Sequence, residues 1–332
     1  MLLTTLLLTG GSGSFGRAFI RTLLARSLVD RIISVSRNAE MRYRLEREFP
    51  DVRLIVAPGD VRQLDDLEAA YDGRVDVIVH AAAEKHIGTG QRHSQYVQSI
   101  NVGGAHNIIR YARIHRVDRV LALSTDKACH PVPGQTYGQS KAEAERAFVE
   151  SNQGDGVRFS LARYGNICGS SGSVIPLFIK QRPFGRLTVT DLRMSRYWMQ
   201  LSDDSEIRVL QEPGRRATVS AVGLVLFALD HMVGSEIFVP RLSSASVAQV
   251  ARAIGPECQI DEIGIRDGEK IHEQLIDGSE ASRTWDLGNG VYVIMPTVEA
   301  VPSYPGAVRV PAGFSYSSND DPLPVQYVEA IQ

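Results

Sequence analysis

Residues 5–16 read TLLLTGGSGSFG, an apolar run that passes directly into glycines spaced G-x-x-G-x-x-G. The apolar run predicts a buried strand, and the amphipathic stretch Gly16–Ser27 predicts a helix. Glycine permits a tight turn, and the first turn of a helix offers N–H groups to an anion. Between a strand and a helix, this pattern predicts the phosphate loop of a dinucleotide site. The residues expected to bind the cofactor here are Gly10, Ser12, Gly13, Ser14, Phe15 and Gly16.

Short apolar runs alternate with amphipathic stretches through the first half of the chain. This alternation predicts a parallel sheet covered by helices on both faces. The predicted strands are Thr5–Leu8, Arg31–Ser36, Arg53–Ala57, Val75–His80, Arg119–Ser124 and Arg158–Arg163. The predicted helices are Gly16–Ser27, Glu40–Glu48, Leu64–Ala70, Ser94–His115 and Ser140–Glu150.

The second half of the chain has a looser pattern, with glycine, serine and proline between shorter elements. We expect an α/β protein with a Rossmann doubly wound parallel sheet over residues 1–168. A smaller C-terminal α/β substrate domain is expected over 169–332, with a segment near 218–242 returning to the first domain. The elements predicted there are the helices Ser220–His231 and Val247–Ile254 and the strands Glu236–Pro240 and Gln259–Ile263.

The composition is that of an ordinary globular protein, with 43% hydrophobic and 22% charged residues in a chain of 332. A formal net charge of -2 indicates neither nucleic acid nor an anionic membrane as a partner. The apolar N-terminal run is too short to span a bilayer. Three widely spaced cysteines form no disulfide or metal-binding pattern, so we expect no metal site and a cytoplasmic protein.

The end of the second predicted strand indicates which dinucleotide binds. Residues 34–38 read SVSRN and lack the carboxylate that holds the ribose of NAD. Ser36, Arg37 and Asn38, helped by Arg42, could instead hold a 2′-phosphate, which favours NADP; otherwise Arg37 is a solvated loop charge. Further cofactor contacts are expected from Asp60, Val61, Ala81, Ala82 and Ala83.

Tyr137 and Lys141 form the chain's single Tyr-x-x-x-Lys pair. One helical turn apart, the two side chains project in the same direction, and the ammonium could lower the pKa of the phenol from about 10. Tyr137 would then serve as a base near neutral pH. The alternative is an amphipathic surface pair.

Residues 124–127 read STDK at the end of the fifth predicted strand, the edge where open α/β sheets bind ligands. Ser124 or Thr125 could bond a substrate hydroxyl. Asp126 and Lys127 could give and take protons in one closed cleft, each shifting the pKa of the other. From the pattern alone, an exposed loop pair is the stronger interpretation.

Together these motifs resemble the extended short-chain dehydrogenase/reductases, and more narrowly the soluble UDP-N-acetylglucosamine 4,6-dehydratases of bacterial pseudaminic-acid and capsule pathways. The resemblance covers almost the whole chain. It includes the segments HAAAEKH (80–86), LSTDKA (123–128), RYGN (163–166) and GIRDGEKIHE (264–273).

The resemblance implies a mechanism. Tyr137 would take the proton of the sugar 4-hydroxyl while hydride moves from carbon 4 to NADP⁺. Lys127, as a neutral amine, would remove the proton from carbon 5, and Asp126 would donate one to the departing 6-hydroxyl. Hydride then returns to carbon 6, and carbon 5 is inverted in the short, soluble members.

The same resemblance implies further site residues and partners. Thr125 and Lys141 join the catalytic set. Cofactor contacts extend to Lys85, Asn101, Ser124, Tyr137, Lys141, Tyr164 and Asn166. Contacts to a UDP-sugar are expected from Lys85, Asn166, Ser173, Val174, Thr190, Met194, Arg196, Arg266 and Glu269. Family members pair through two long helices, here Ser94–His115 and Ser140–Glu150, so a homodimer or hexamer is expected.

The sequence departs from the family pattern at three places; the first two, beside the expected sugar pocket, leave the sugar and the stereochemistry at carbon 5 open, and the third could be a surface hairpin or an assembly contact. The loop between Lys127 and Tyr137 is two residues longer than usual, residues 87–91 read IGTGQ, and an extra stretch lies near Gln211–Val222. Alternatives are a UDP-sugar 4-epimerase or reductase, which needs only Tyr137 and Lys141, or a dehydratase that takes another nucleotide sugar or stops at an unsaturated sugar. A non-catalytic NADP-binding regulator is the third.

Overall fold

The computed structural model describes residues 3–85, 91–203, 208–209, 219–320 and 328–329. Its α-helices are α1 (Ser14–Ala25), α2 (Ala39–Glu48), α3 (Leu64–Ala69), α4 (Gln91–Gln98), α5 (Gly104–Ile114), α6 (Thr136–Glu150), α7 (Val174–Gln181), α8 (Ala221–His231) and α9 (Val247–Ile254). A π-helical turn covers Ser99–Gly103, and 3₁₀ turns cover Arg182–Phe184 and Gly278–Arg283.

The strands are β1 (Leu3–Thr9), β2 (Val29–Ser36), β3 (Leu54–Pro58), β4 (Val77–His80), β5 (Arg119–Thr125), β6 (Arg158–Tyr164), β7 (Asn166–Ile167), β8 (Arg186–Val189), β9 (Ser195–Met199), β10 (Arg208–Val209), β11 (Ile237–Pro240), β12 (Ser243–Ser246), β13 (Gln259–Glu262), β14 (Gln274–Ile276), β15 (Thr284–Asp286), β16 (Val291–Ile294), β17 (Val308–Arg309), β18 (Tyr316–Ser317) and β19 (Val328–Glu329).

The chain forms two compact units, each built from separate segments. The first contains residues 1–124, 136–162 and 225–237, and the second contains 125–135, 163–224 and 238–332. The second unit therefore contains residues 125–135, the short segment that begins at the end of β5.

The first unit is a parallel sheet with strand order β3-β2-β1-β4-β5-β6, which confirms the predicted doubly wound α/β class. Leu6, Leu7 and Leu8 of β1 are completely buried, as expected for a central strand covered on both faces. The order reverses between β1 and β4, and such a switch point opens a crevice at the carboxyl ends of the strands.

Two helix predictions for the first unit are wrong in their bounds. The stretch Ser94–His115 is not one α-helix, because the π-helical turn separates α4 from α5. Helix α6 begins at Thr136 instead of Ser140, and the Oγ atoms of Ser94 and Thr136 lie 2.9 Å apart at its start. This earlier start places both Tyr137 and Lys141 within the helix.

The second unit contains the sheet β12-β9-β7, the parallel pair β13-β8, the antiparallel pairs β14-β18 and β10-β19, and the neighbouring strands β17-β15-β16-β11. The predicted helix Val247–Ile254 is confirmed at both ends, and Ser246 caps it through a bond from the Gln249 N–H. Its buried face packs with Phe178, Leu187 and Trp198.

Two of the three departures from the family pattern are only partly covered by the structure, since residues 86–90 and 211–218 lie outside the described ranges. None of the helices in the described ranges is long and apolar enough to cross a membrane.

Candidate functional site

The glycine-rich loop joins β1 to α1 at the switch point of the sheet. Gly10 has a φ of +74°, and a Cβ placed there would lie 2.8 Å from the Ala81 carbonyl carbon. A Cβ on Gly16 would lie 2.4 Å from the Gly11 Cα. Gly10 and Gly16 are thus packed too tightly for a side chain, and no side chain caps α1 at Gly13. This backbone cradle at a helix N-terminus fits a pyrophosphate group.

The end of β2 carries the groups expected to select the cofactor. The Oγ atoms of Ser12 and Ser36 lie 3.2 Å apart, which links the glycine-rich loop to the strand end. Arg42 Nη1 donates to the Ser36 and Arg37 carbonyl oxygens, both at 2.8 Å, and so holds this turn. Asn38 caps α2 by accepting from the Met41 N–H.

Arg37 is exposed beside an aromatic ring and an acid. Its Nη1 donates to Tyr96 Oη at 3.0 Å and lies 3.8 Å from Asp60 Oδ2. Asp60 is bound more closely by Arg62, with an Nε-to-Oδ2 distance of 2.9 Å. The pKa of Asp60 is lowered, since the bonds from Arg62 outweigh the effect of burial. Val61 is buried next to it.

Asn101, on the π-helical turn, binds the chain beyond β4. Its Oδ1 accepts from the Glu84 N–H at 2.8 Å, and its Nδ2 donates to the Glu84 carbonyl at 3.0 Å and to Ser140 Oγ at 2.9 Å. Ser140 in turn donates to the Tyr137 carbonyl at 2.8 Å. Asn101 therefore fixes the backbone near the predicted cofactor residues and the first turn of α6.

Lys141 is buried on α6 and directed at the sheet. Its Nζ donates to the Leu123 carbonyl oxygen at 2.7 Å. Burial lowers its pKa to about 8, and the carboxylate of Glu145 opposes this shift only in part. The amine of Lys141 thus gives up its proton far more readily than an ordinary lysine.

Asp126 and Lys127 form a close ion pair in the second unit, not the exposed loop pair that the sequence pattern alone favours. Lys127 Nζ lies 3.1 Å from Asp126 Oδ1, which also accepts from Thr125 Oγ1 at 2.9 Å. Asp126 is fully buried, and its N–H donates to the Tyr164 carbonyl at 3.0 Å. Its Oδ2 is buried without a hydrogen-bond partner.

The pKa values of this pair are both raised. Burial raises the pKa of Asp126 and outweighs the attraction of the Lys127 ammonium. Burial alone would lower the pKa of Lys127, but the carboxylates of Asp126 and Glu273 reverse the effect. The pair consequently retains a proton at neutral pH.

Glu273 was not among the predicted site residues, although it ends the quoted segment 264–273. Its Oε1 lies 3.3 Å from Lys127 Nζ, and it is almost fully buried. Only its place in the GEKIHE motif could have drawn attention to it, because the contact joins residues far apart in the chain.

The residues of the second unit that are predicted to contact the substrate differ in their exposure and in their hydrogen bonds. Ser173 precedes α7 with a buried Oγ that has no hydrogen-bond partner. Thr190 Oγ1 donates to Met194 Sδ at 3.3 Å. Arg266 is exposed, and its N–H donates to Glu269 Oε2 at 3.2 Å. These roles stay predictions.

Arg196 is buried and already engaged by the protein. Its guanidinium donates to the carbonyl oxygens of Ser195, Lys270 and Ile271. Among the other residues predicted to contact the UDP-sugar, Lys85 is exposed, and Asn166 and Val174 are half-buried. Across the described ranges, no group of three His, Cys, Asp or Glu side chains is placed to hold a metal ion.

The strand order, the glycine-rich loop and the Tyr-x-x-x-Lys helix together define an extended short-chain dehydrogenase/reductase. The chain belongs to the polysaccharide biosynthesis protein family, which it matches over residues 6–295. This agrees with the resemblance inferred from the motifs.

Several individual proteins resemble the chain over most of its length. It is 35% identical to a UDP-N-acetylglucosamine 4,6-dehydratase (inverting) of Campylobacter jejuni, covering 96% of this chain and 93% of that protein. It is 34% identical to a UDP-glucose 4-epimerase of Rickettsia bellii, covering 86% and 81%. The crystal structure of Pen from Bacillus thuringiensis superposes with a TM-score of 0.84 at 27% identity, covering 97% of this chain and 94% of that one.

Proposed function

We propose that this protein is an NADP-dependent UDP-N-acetylglucosamine 4,6-dehydratase that inverts carbon 5. The observation that carries the proposal is the ion pair between the buried Asp126 and the half-buried Lys127. Exchange of hydride at carbon 4 needs only a base such as Tyr137, whereas the loss of water also needs an acid and a base for carbons 5 and 6. The name of the Campylobacter jejuni relative supports the same reaction.

A bound nicotinamide dinucleotide would accept hydride from carbon 4 of the sugar and return it to carbon 6. Tyr137 Oη takes the proton of the 4-hydroxyl, which leaves a 4-ketone. Lys127 Nζ removes the acidified proton from carbon 5, and the Asp126 carboxyl gives a proton to the 6-hydroxyl, which leaves as water. A proton returns to carbon 5 on the opposite face, so the net change is the loss of one water.

The pair must first redistribute its proton, because a charged Lys127 cannot act as a base. The 3.1 Å separation of Lys127 Nζ and Asp126 Oδ1 is a hydrogen-bond distance. Transfer along this bond produces a neutral amine and a carboxylic acid, the two forms that the reaction uses. The raised pKa of the buried Asp126 favours this transfer, and the raised pKa of Lys127 opposes it.

NADP is proposed over NAD because β2 ends in Ser36 and Arg37 without an acid. The exposed guanidinium of Arg37 offers charge to a 2′-phosphate. Asp60, which lies 3.8 Å from Arg37, is already bound by Arg62.

We also propose a cytoplasmic homo-oligomer. The three cysteines carry free thiols, as expected in a reducing compartment. Ile114 on α5 and Tyr96 on α4 are exposed apolar side chains that a subunit interface could cover. Light scattering of the purified protein would give the mass of the assembly.

Incubation with UDP-N-acetylglucosamine and analysis by mass spectrometry and proton NMR test the reaction. We expect a product lighter by one water, with a ketone at carbon 4 and a methyl group at carbon 6. A product of unchanged mass would instead support a 4-epimerase, the second candidate, which the Rickettsia bellii relative favours. That activity would survive in Asp126→Asn, whereas dehydration would not.

A further inference from the structure

Glu273 is held rigidly beside the Asp126–Lys127 pair in the second unit. Its N–H donates to Ser318 Oγ at 3.0 Å, and its carbonyl accepts from the Ser318 N–H at 2.8 Å. These bonds fix its backbone where β14 meets β18. Its carboxylate is thereby kept 3.3 Å from Lys127 Nζ.

Two further cations approach the same carboxylate. Lys270 Nζ lies 3.6 Å from Glu273 Oε2, and Arg196 Nε lies 3.9 Å from Glu273 Oε1. Lys270 Nζ also donates to the Cys129 carbonyl at 2.9 Å, which ties this segment to the loop that follows Lys127. Glu273 is therefore the centre of three positive charges that would otherwise repel one another.

Other ionisable groups near the pair contribute less charge. Burial strongly raises the pKa of Tyr197, so its phenol stays neutral. Burial lowers the pKa of His272, whose Nδ1 lies 2.7 Å from Ser195 Oγ. His272 also interacts with Arg196, Arg193, Asp191 and Asp320. The ionised carboxylate of Glu273 is thus the anion that acts on both members of the pair.

We propose that Glu273 is a positioning residue that sets, through Lys127, the pH range in which the Asp126–Lys127 pair holds the one proton needed for dehydration. The inference rests on the proposed function. A negative charge beside the pair makes it harder to remove its last proton and easier to add a second one. Both limits of the active range therefore lie at higher pH than they would without Glu273.

Glu273→Gln tests this because it removes the charge and keeps the shape of the side chain. We expect both limbs of the profile of kcat against pH to move to lower pH by about one unit. Glu273→Asp, which keeps the charge, should restore the limbs towards the wild-type positions. The exposed Glu257→Gln is the matched control and should leave them in place. A lower rate with unmoved limbs would overturn the proposal, since a purely structural role lowers kcat at every pH.

Competitive labelling with acetic anhydride provides a readout that does not need activity. Only a neutral amine reacts, so the yield at Lys127, normalised to the exposed Lys180, reports its protonation. We expect Glu273→Gln to increase this yield at a fixed pH, and an unchanged yield would count against the proposal. If the wild type does not dehydrate the sugar, the proposed function fails while this measurement still decides the role of Glu273.

Lys270→Met gives a second test if Glu273→Gln does not fold. Removal of this cation should stabilise the protonated pair, so labelling of Lys127 should decrease and both limbs should move to higher pH. No shift, or a shift to lower pH, would overturn the proposal.

Discussion

Lys141 on α6 is buried and Lys127 after β5 is half-buried, and the pKa values of their amines are shifted in opposite directions. Lys141 bonds a neutral carbonyl oxygen, and burial lowers its pKa to about 8. Lys127 lies beside two carboxylates, those of Asp126 and Glu273, which raise its pKa despite burial. The comparison shows that the number and closeness of acidic partners, more than burial, decide the charge of a lysine in this fold.

The largest effect is expected from removal of the lysine that has the carboxylate partners. Lys127→Ala should lower kcat for dehydration by about 10³-fold, because the base for carbon 5 is lost. Binding of NADP, measured by calorimetry, should be retained. The exposed Lys180→Ala is the control and should match the wild type. Wild-type turnover in Lys127→Ala would contradict the assigned role.

Lys141, which bonds a neutral carbonyl oxygen, should affect how the stability of the fold depends on pH. Its pKa of about 8 lies below the unperturbed value of 10.5, so between these pH values the unfolded chain binds more protons than the folded one. The free energy of unfolding should therefore rise across this window, by about 3 kcal/mol in total from Lys141.

Urea unfolding of the wild type and Lys141→Met at pH 8 and pH 10 measures that contribution. The rise should be smaller in the variant. Lys127→Met should leave the rise between pH 8 and pH 10 nearly as in the wild type, because a raised pKa gives a stabilisation that is complete below pH 10.5 and is lost only above it. If the free energy of unfolding changed equally with pH in the wild type and in Lys141→Met, the proposed difference between Lys141 and Lys127 would be contradicted.

Asp126→Asn would make Lys127 more like Lys141, because it removes one of the two carboxylates. Dehydration should fall by about 10²-fold, since the acid for the 6-hydroxyl is lost. Exchange of the hydrogen at carbon 5 should continue, since the base remains. Proton NMR in deuterated water separates the two steps, and a parallel loss of exchange would argue against distinct roles.

The smallest effect concerns an exposed cation in the first unit. Arg37→Ala should weaken NADP binding about tenfold, through the loss of a charged hydrogen bond, and leave NAD binding nearly unchanged. Arg44→Ala is a suitable control, because Arg44 is also exposed, lies on α2 and pairs with Glu40. Fluorescence titration with both dinucleotides gives the ratio of affinities, and equal losses for NADP and NAD would contradict the role of Arg37.

Much of the first unit could be predicted because its signals are local. A run such as Leu6–Leu8 is buried on both faces, and the glycines that follow can occupy a turn that excludes side chains. The π-helical turn at Ser99–Gly103 could not be predicted, since the apolar spacing continues through it. It depends on the bonds of Asn101 to Glu84 and Ser140, which only the folded chain brings together.

The candidate site also has features that could be predicted from the sequence and features that could not. The motifs around Asp126 and Tyr137 are contiguous and could be found by their spacing. The contact between Lys127 and Glu273 joins distant segments, and the engagement of Arg196 by three carbonyl oxygens depends on how those segments fold. Spacing therefore predicted a set of candidate groups for the chemistry, but not the groups that influence their charge.

The π-helical turn also has a consequence for the tolerance of this protein to insertions and deletions. Such a turn accommodates one residue more than a regular α-helix. Deleting a single residue from Ser99–Gly103 would regularise the helix, keep the flanking side chains on their faces and move Asn101 within the turn. The anchoring amide of Asn101 would lose its alignment, so this stretch should accept substitutions more readily than any change in length.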